Sequence, residues 1–329
     1  MENFLEGLNE PQKQAVENTE GPVMVIAGAG SGKTRVLTYR IAHLLQKGVD
    51  PFQILALTFT NKAAKEMKKR IQKIGGSGAR NIWMGTFHSV FSKILRAEAE
   101  KINYPSNFTI YDTQDTKNLL KSIIKELNLD DKMYKPGLVY GRISMAKNNL
   151  VGPDAYRKSP EIIADDEAAG RPKVADIYDM YVRRCFKAGA MDFDDLLFKT
   201  NVLFRDNPEA LLKYQHKFKY ILVDEYQDTN FSQYLIVKKI AALYNNLCVV
   251  GDDAQSIYAF RGANIQNILN FKNDYPDYKL FKLEQNYRST NVIVQAANGV
   301  IANNSDQIQK NVWTANSEGD KIEVHKALT

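Results

Sequence analysis

Cysteine is almost missing from this 329-residue sequence. The two that occur, Cys185 and Cys248, stand alone and far apart. They exclude a disulfide framework and any zinc site built on paired cysteines. A reducing cytoplasm is the expected location. No uninterrupted apolar run approaches the roughly 18 residues of a membrane span, so no membrane partner is expected. The N-terminus MENFLEGLNE carries acidic residues and no long apolar stretch, which excludes a secretory signal. There is no internal repeat and no low-complexity tract. Neither sign of charge dominates. Lys and Arg number 44 against 38 Asp and Glu, a net charge of +6 that permits a polyanionic partner without requiring one. His43, His216 and His325 sit in no partner pattern and receive no role.

What is present is an ordinary globular composition, 44% apolar and 25% charged. Short β-type runs recur at VMVIA (23–27), ILALTF (54–59), IWMGTF (82–87), YILVD (220–224), LCVVGD (247–252) and KLFKL (279–283). Most are continuously apolar, as parallel strands covered on both faces must be. Trp83, inside one of them, reads as core. Helical spacing fills 34–48, which ends at Gly48, and 61–76, which opens at Asn61 as an N-cap and stops at a Gly pair. Strand alternating with helix predicts an α/β fold around a mostly parallel sheet. One connection is too long. About 130 residues separate Phe87 from Tyr220, where a crossover needs only about a dozen. Helical patterns at 113–131 and 173–189 predict a helical domain inserted over 109–190, with loops in its Gly-, Pro-, Asn- and Asp-rich stretch 145–172.

AGAGSGKT (27–34) lies between a predicted strand and a predicted helix, the setting a phosphate-binding loop needs. Ala27, Gly28, Ala29, Gly30, Ser31 and Gly32 are small enough for backbone N–H groups to approach phosphate oxygens. The helix N-terminus adds a positive dipole. Lys33 reaches the β- and γ-phosphates and Thr34 ligates Mg²⁺. Ala27 replaces the usual first glycine, which is tolerable if its φ is negative. In ILVDEYQDTN (221–230) two carboxylates follow an apolar strand. Asp224 is placed to hold Mg²⁺, and Glu225 to polarise the attacking water as general base. The expected cofactors are therefore ATP and Mg²⁺.

In chain order, LNEPQKQAV (8–16), AGAGSGKT, TFTNKAAKEM (58–67), GTFHS (85–89), MDFDDLL (191–197), VDEYQD (223–228), GDDAQSIYAFRGA (251–263) and QNYRS (285–289) resemble the motif series of superfamily 1 DNA helicases of the UvrD/Rep/PcrA type. The likeness covers the N-terminal half of such a helicase. It implies a RecA-like P-loop NTPase core in two segments, 1–108 and 191–283, interrupted by the inserted helical domain 109–190. It also implies the start of a second RecA-like domain at 284–329, with a helix at 290–303 and one possible strand at 321–326.

The resemblance assigns further roles. Gln12 reads adenine and Tyr287 stacks on it, with Arg35 beside the nucleotide. Gln255 and Arg288 contact the γ-phosphate. Rings at strand ends read as core from the residues alone. The resemblance instead implies that Phe59, Asn61, Phe87, His88, Tyr258, Phe260 and Arg261 line a single-stranded DNA path. Phe260 stands where close relatives usually carry Trp. The basic run Lys62, Lys65, Lys68, Lys69, Arg70 and Lys73 reads as a solvated helix face.

The expected activity is ATP-driven 3′-to-5′ movement on single-stranded DNA and strand separation at single-strand/duplex junctions, in the manner of DNA repair helicases. A second core domain that completes the ATP site is not found, so a truncated chain of very low activity is expected. The alternatives are the motor part of a helicase–nuclease, a non-catalytic DNA-binding P-loop module and a small-molecule kinase.

Overall fold

The computed structural model describes residues 4–75, 77–304 and 307–326, the side chains of Ser77 and Arg261 aside. The first helix, α1 (Glu10–Glu17), starts from a capping box between Asn9 and Gln12. Strand β1 (Val23–Ala27) leads through the glycine-rich loop into α2 (Lys33–Gln46). That helix closes at Gly48, whose φ of +82° suits the left-handed turn. Then come β2 (Ile54–Thr58), α3 (Asn61–Gly75), β3 (Trp83–Thr86) and α4 (Phe87–Ala97). Asn61 is already helical. The N-cap is Thr60, whose Oγ1 accepts from the Ala63 N–H at 3.1 Å, because its shorter side chain sits one position earlier, where the donor points. The basic run on α3 is exposed, as a solvated face should be.

Next come β4 (Thr109–Ile110) and five helices, α5 (Thr113–Glu126), α6 (Pro136–Asn148), α7 (Pro153–Arg157), α8 (Pro160–Ala168) and α9 (Val174–Lys187). The stretch expected to contain loops has them between the helices and also holds two short helices, each opened by a proline in its first turn. These helices enclose their own apolar cluster, with Leu120, Ile123, Val139, Ile143, Ile177 and Tyr181 at its centre. Strand β5 (Ala190–Met191) returns beside β4, pairing Thr109 with Ala190 and Ile110 with Met191. The chain therefore leaves and re-enters the α/β layer at one place.

The α/β layer resumes with α10 (Phe193–Asp206), α11 (Pro208–Lys217), β6 (Tyr220–Val223), α12 (Phe231–Ala241), β7 (Leu247–Gly251), α13 (Gln266–Leu269), α14 (Phe271–Asp274) and β8 (Lys279–Leu283). All six predicted long strands join one sheet in the order β3-β2-β6-β7-β1-β8, and every pairing is parallel. Alternate side chains feed two cores. Met24, Ile26, Leu55, Leu57 and Val223 pack on one face; Val23, Val25, Ala27, Ala56 and Val250 pack on the other. Burial on both faces is why these strands read as continuous apolar runs. Trp83 is half-buried, edge-on to Phe218 with Lys217 over its ring.

Beyond β8 lie β9 (Gln285–Asn286), α15 (Asn291–Ile301) and β10 (Trp313–Thr314), which pairs parallel to β9. Residues 321–326 form no strand. No neighbouring strand among the described residues supplies a ladder there, and Val324 is exposed.

A buried ionic node joins α6 to α10. Lys147 Nζ lies 2.8 Å from Asp192 and 2.9 Å from Asp195, with all three side chains almost fully buried. Asp192 also caps α10 and accepts from the Tyr181 hydroxyl. Removing one partner of a buried pair leaves an uncompensated charge. Lys147→Met is expected to lower stability by about 3–5 kcal/mol, measured by urea denaturation.

Candidate nucleotide site and nucleic-acid interface

Parallel strands all point the same way, so the residues that follow them emerge on one edge of the sheet. Ala27 ends β1 there, Asp224 follows β6, Asp252 follows β7, Phe59 follows β2 and Phe87 follows β3. In the loop after β1, the Gly28 carbonyl accepts from both the backbone N–H and the hydroxyl of Ser31, at 3.2 and 2.7 Å. This curls the chain into a cradle. Gly30 and Gly32 have φ of +68° and +93°, which glycine alone adopts without strain. Ala27 is not among the positive-φ residues, so its methyl group is compatible with the turn.

Lys33 begins α2, and its Nζ lies 2.9 Å from Glu225 Oε2. The two residues sequence analysis assigned to phosphate and to water are thus in contact. Glu225 sits in the left-handed region, φ 49° and ψ 46°, which costs a non-glycine residue of the order of 1–2 kcal/mol. The turn is held by the Asp228 N–H to the Glu225 carbonyl at 2.9 Å. Gln227 braces it from both sides: its amide donates to Glu225 Oε2 at 3.0 Å and to Asp228 at 3.3 Å, while its carbonyl oxygen accepts from the Asp252 N–H at 3.0 Å. Asp224 is buried, and its Oδ1 accepts from the Glu225 N–H. Burial, and then the charge of Glu225, push its carboxyl up to about 7, against the pull of Lys33. The same two causes raise Asp228 to about 6.

The other end of the cradle meets α1 and β9. Gln12 is buried, donating to the Ser31 carbonyl at 2.9 Å and accepting from the Asn9 N–H. Asn9 donates to the Tyr287 hydroxyl at 2.9 Å. Gln12 and Tyr287 are therefore brought together through Asn9. The Tyr287 N–H donates to the Gly30 carbonyl at 3.0 Å, and Asn286 donates to the Ala29 carbonyl at 2.7 Å. Arg288 follows directly, its Cβ against Gly30. Arg35 donates to the Gly7 carbonyl at 2.8 Å and lies over Tyr39. Gln255 is exposed and donates to Asp252.

A cavity of about 510 Å³ opens on the far side of the acidic turn. Phe59, Thr60 and His88 line it from the sheet edge, Tyr258 and Phe260 from the loop after β7, and Asn148 and Asp194 from α6 and α10. Asp228 and Asn230 also reach it, so the turn after β6 is a wall shared with the phosphate cradle. Phe260 is 76% exposed, whereas Phe87 is 1% exposed. This corrects the expectation for Phe87: its ring packs between Phe59 and Phe91 at 5.6 and 6.2 Å and supports the Phe59 ring from beneath. His88 is half-buried beside Phe193, and burial lowers its imidazole below the usual range. Asn61 is exposed on α3 and does not line this cavity. The Arg261 side chain lies outside the described residues.

The sequence profile of the UvrD/REP helicase N-terminal domain matches residues 8–276. The chain belongs to this helicase family. The profile of the UvrD-like helicase C-terminal domain matches residues 281–329. Over its whole length the chain is 50% identical to a Staphylococcus aureus protein named ATP-dependent DNA helicase PcrA, across 331 residues, and covers 44% of that protein. It is 51% identical to the PcrA of Staphylococcus epidermidis across 330 residues, again covering 44%. The chain thus spans less than half the length of these relatives. Among its described residues no helix is long and apolar enough to cross a membrane.

Sequence reasoning passed over several residues that shape this candidate site. Asn9, Gln227, Asp252 and Asn286 lay inside the quoted motifs, and their signal was the motif itself. Lys310, whose ammonium reaches Asp252 and Asp253, had no signal. No group of three or more His, Cys, Asp or Glu that could hold a metal occurs among the described residues. The acid pair nonetheless fits a cation that arrives with phosphate, because Asp224 is buried beside a second carboxylate with one shared lysine for compensation.

Asp224 binds its proton more tightly in the folded chain than in the unfolded one. The stability it contributes is therefore fully present below the ordinary value of 3.8 and lost as pH rises through about 7. Asp224→Asn, which keeps the Oδ1 acceptor, is expected to stabilise the nucleotide-free protein more at pH 8 than at pH 4, by up to about 4 kcal/mol. Urea denaturation of the two proteins at both values measures the difference.

Proposed function

We propose that this chain supplies the nucleotide-binding half of an ATP-dependent DNA helicase that moves 3′ to 5′ on single-stranded DNA. The observation that carries the reading is the Lys33–Glu225 pair at 2.9 Å, one turn away from an aromatic-lined cavity. In the resting protein Lys33 neutralises Glu225. An incoming triphosphate in the cradle draws Lys33 to its own oxygens and releases the carboxylate. Glu225, already aimed by its left-handed turn and by Gln227, orients a water molecule and takes its proton. Thr34 and Asp224 would hold magnesium, which when bound would supply neutralising charge to the phosphates. Gln12, Tyr287 and Arg35 hold the base end, while Gln255 and Arg288 face the γ-phosphate.

Phe59, Tyr258 and Phe260 offer stacking faces to unpaired bases, with His88 as a polar contact in the same cavity. The acidic turn lies between phosphate and base, so a change in Glu225 reaches Asp228 through one glutamine. For the domains we infer a core of 1–108 and 191–283, a helical insertion of 109–190 bracketed by β4 and β5, and a second core domain starting at 284. The named relatives are ATP-dependent DNA helicases, and their name supports the activity proposed here.

The test is ATP turnover, measured on this chain extended to the length of its relatives. Turnover is expected to rise with added single-stranded DNA. Lys33→Ala should abolish it, and Glu225→Gln should abolish it while leaving nucleotide binding in place. Turnover indifferent to both DNA and Lys33 sinks the reading. Phe260→Ala is expected to weaken single-strand binding by about 1–3 kcal/mol. Affinity should fall with salt at a log–log slope of roughly −0.7 per phosphate neutralised. Fluorescence anisotropy with a labelled oligonucleotide reads both.

A further inference from the structure

Residues 307–314 form a strap across the edge of the sheet, following α15 and ending in β10. Its contacts fall on the loop after β7, on the phosphate cradle and on β9. The Ile308 N–H donates to Asp253 Oδ2 at 2.9 Å. Lys310 Nζ lies 2.7 Å from Asp253 and 3.1 Å from Asp252, with all three side chains at most 5% exposed. The Asn311 and Trp313 N–H groups donate to Glu284, and Asn298 of α15 donates to the Val312 carbonyl. The Val312 side chain packs on Gly28 of the phosphate cradle so closely that a methyl group there would stand 2.6 Å from it. Trp313 and Thr314 pair with Gln285 and Asn286, immediately before Tyr287 and Arg288.

Asp252 is the junction of this arrangement. Its carboxylate takes the Gln255 amide and the Lys310 ammonium. Its N–H donates to Gln227, which in turn holds Glu225. Three polar contacts in series therefore join Lys310 to Glu225: the ion pair with Asp252, the Asp252 N–H to Gln227 Oε1, and the Gln227 amide to Glu225 Oε2. Burial works to lower the Lys310 ammonium, but Asp253 and Asp252 outweigh it and hold it above the ordinary lysine range. A buried cation with two carboxylate partners on one loop has little freedom to slide.

We propose that Lys310 is a positioning residue: it locks the strap, and with it the β9–β10 pair that carries Tyr287 and Arg288, to the Asp252–Gln255 loop. Occupancy of the phosphate cradle is thereby passed to the start of the second core domain. This inference rests on the nucleotide reading above. Without Lys310, Asp252 and Asp253 are left as adjacent buried charges, the loop opens towards water, and the strap loses its register on it.

Hydrogen exchange on the whole 329-residue chain, with and without Mg-ATP, tests the idea. In the unaltered protein nucleotide is expected to slow exchange in both 252–256 and 307–314. In Lys310→Met the loop should still respond, while the response of the strap falls roughly tenfold, within the range that single residues contribute to coupling. Lys310→Arg keeps the cation and should restore the joint response, which a merely space-filling role does not predict. Equal responses of both segments in Lys310→Met overturn the proposal. Should that variant fail to fold, Lys310→Met with Asp253→Asn removes the charge together with one partner. The loop alone should respond in that protein, and a joint response there overturns the proposal as well. If neither segment of the unaltered protein responds, the nucleotide reading has failed and the inference falls with it, a result distinct from the other two.

Discussion

The parallel direction of six strands is the constraint on which the rest depends. A parallel sheet needs a crossover between every pair of strands, and every crossover starts from the same edge. The phosphate cradle, the acid pair and the aromatic loop belong to strands that are far apart in sequence. They meet because β7 lies between β1 and β6, and because all three end on one side. Nothing about Lys33 or Glu225 alone brings them to 2.9 Å. Reversing any one strand would carry its terminal acid to the opposite edge and dissolve the pair.

That edge is electrostatically tense, and the tension has a direction. Asp224, Glu225 and Asp228 crowd one turn, while Lys33 is the cation in contact with it. A carboxyl at about 7 beside a backbone held in the left-handed region is a site short of positive charge. Such a site favours a ligand that brings a cation with it, and Mg-ATP has that chemistry. The same turn lines the cavity of Phe59, Tyr258 and Phe260. The two sites therefore share one wall, without a long path between them.

Much of this was legible in the residues. The six long strands could be read because burial on both faces makes them continuous apolar runs. The inserted helices could be read because about 130 residues is far too long for one crossover. The phosphate loop and the acid pair announce themselves through glycine spacing and through charge placed after an apolar run. What was not legible is instructive. Phe87 and Phe59 look alike in sequence, each at a strand end. One lies under the other, and only packing decides which ring is outermost. Asn61 and Thr60 are both good caps, and the choice turns on a one-residue shift in the helix start. The run at 321–326 has strand composition, but a strand requires a partner, which composition does not encode.

Lys310 illustrates the limit more sharply. A lone lysine in a polar stretch, QIQKNVW, has no pattern that separates it from the many solvated lysines of this chain. Its importance comes from where the strap lies, and the strap is placed by weak local features: the β9–β10 pair, Asn298 on the Val312 carbonyl, and a valine against a glycine. Each of these is small. Together they set the ammonium between two buried aspartates, where an error of one residue in register would leave both acids without that cation. The glycine at 28 then has two duties. It lets the loop backbone approach phosphate, and it leaves room for Val312. The second duty is invisible in the phosphate-loop pattern, yet it is the one that fastens the segment before β10 to the cradle.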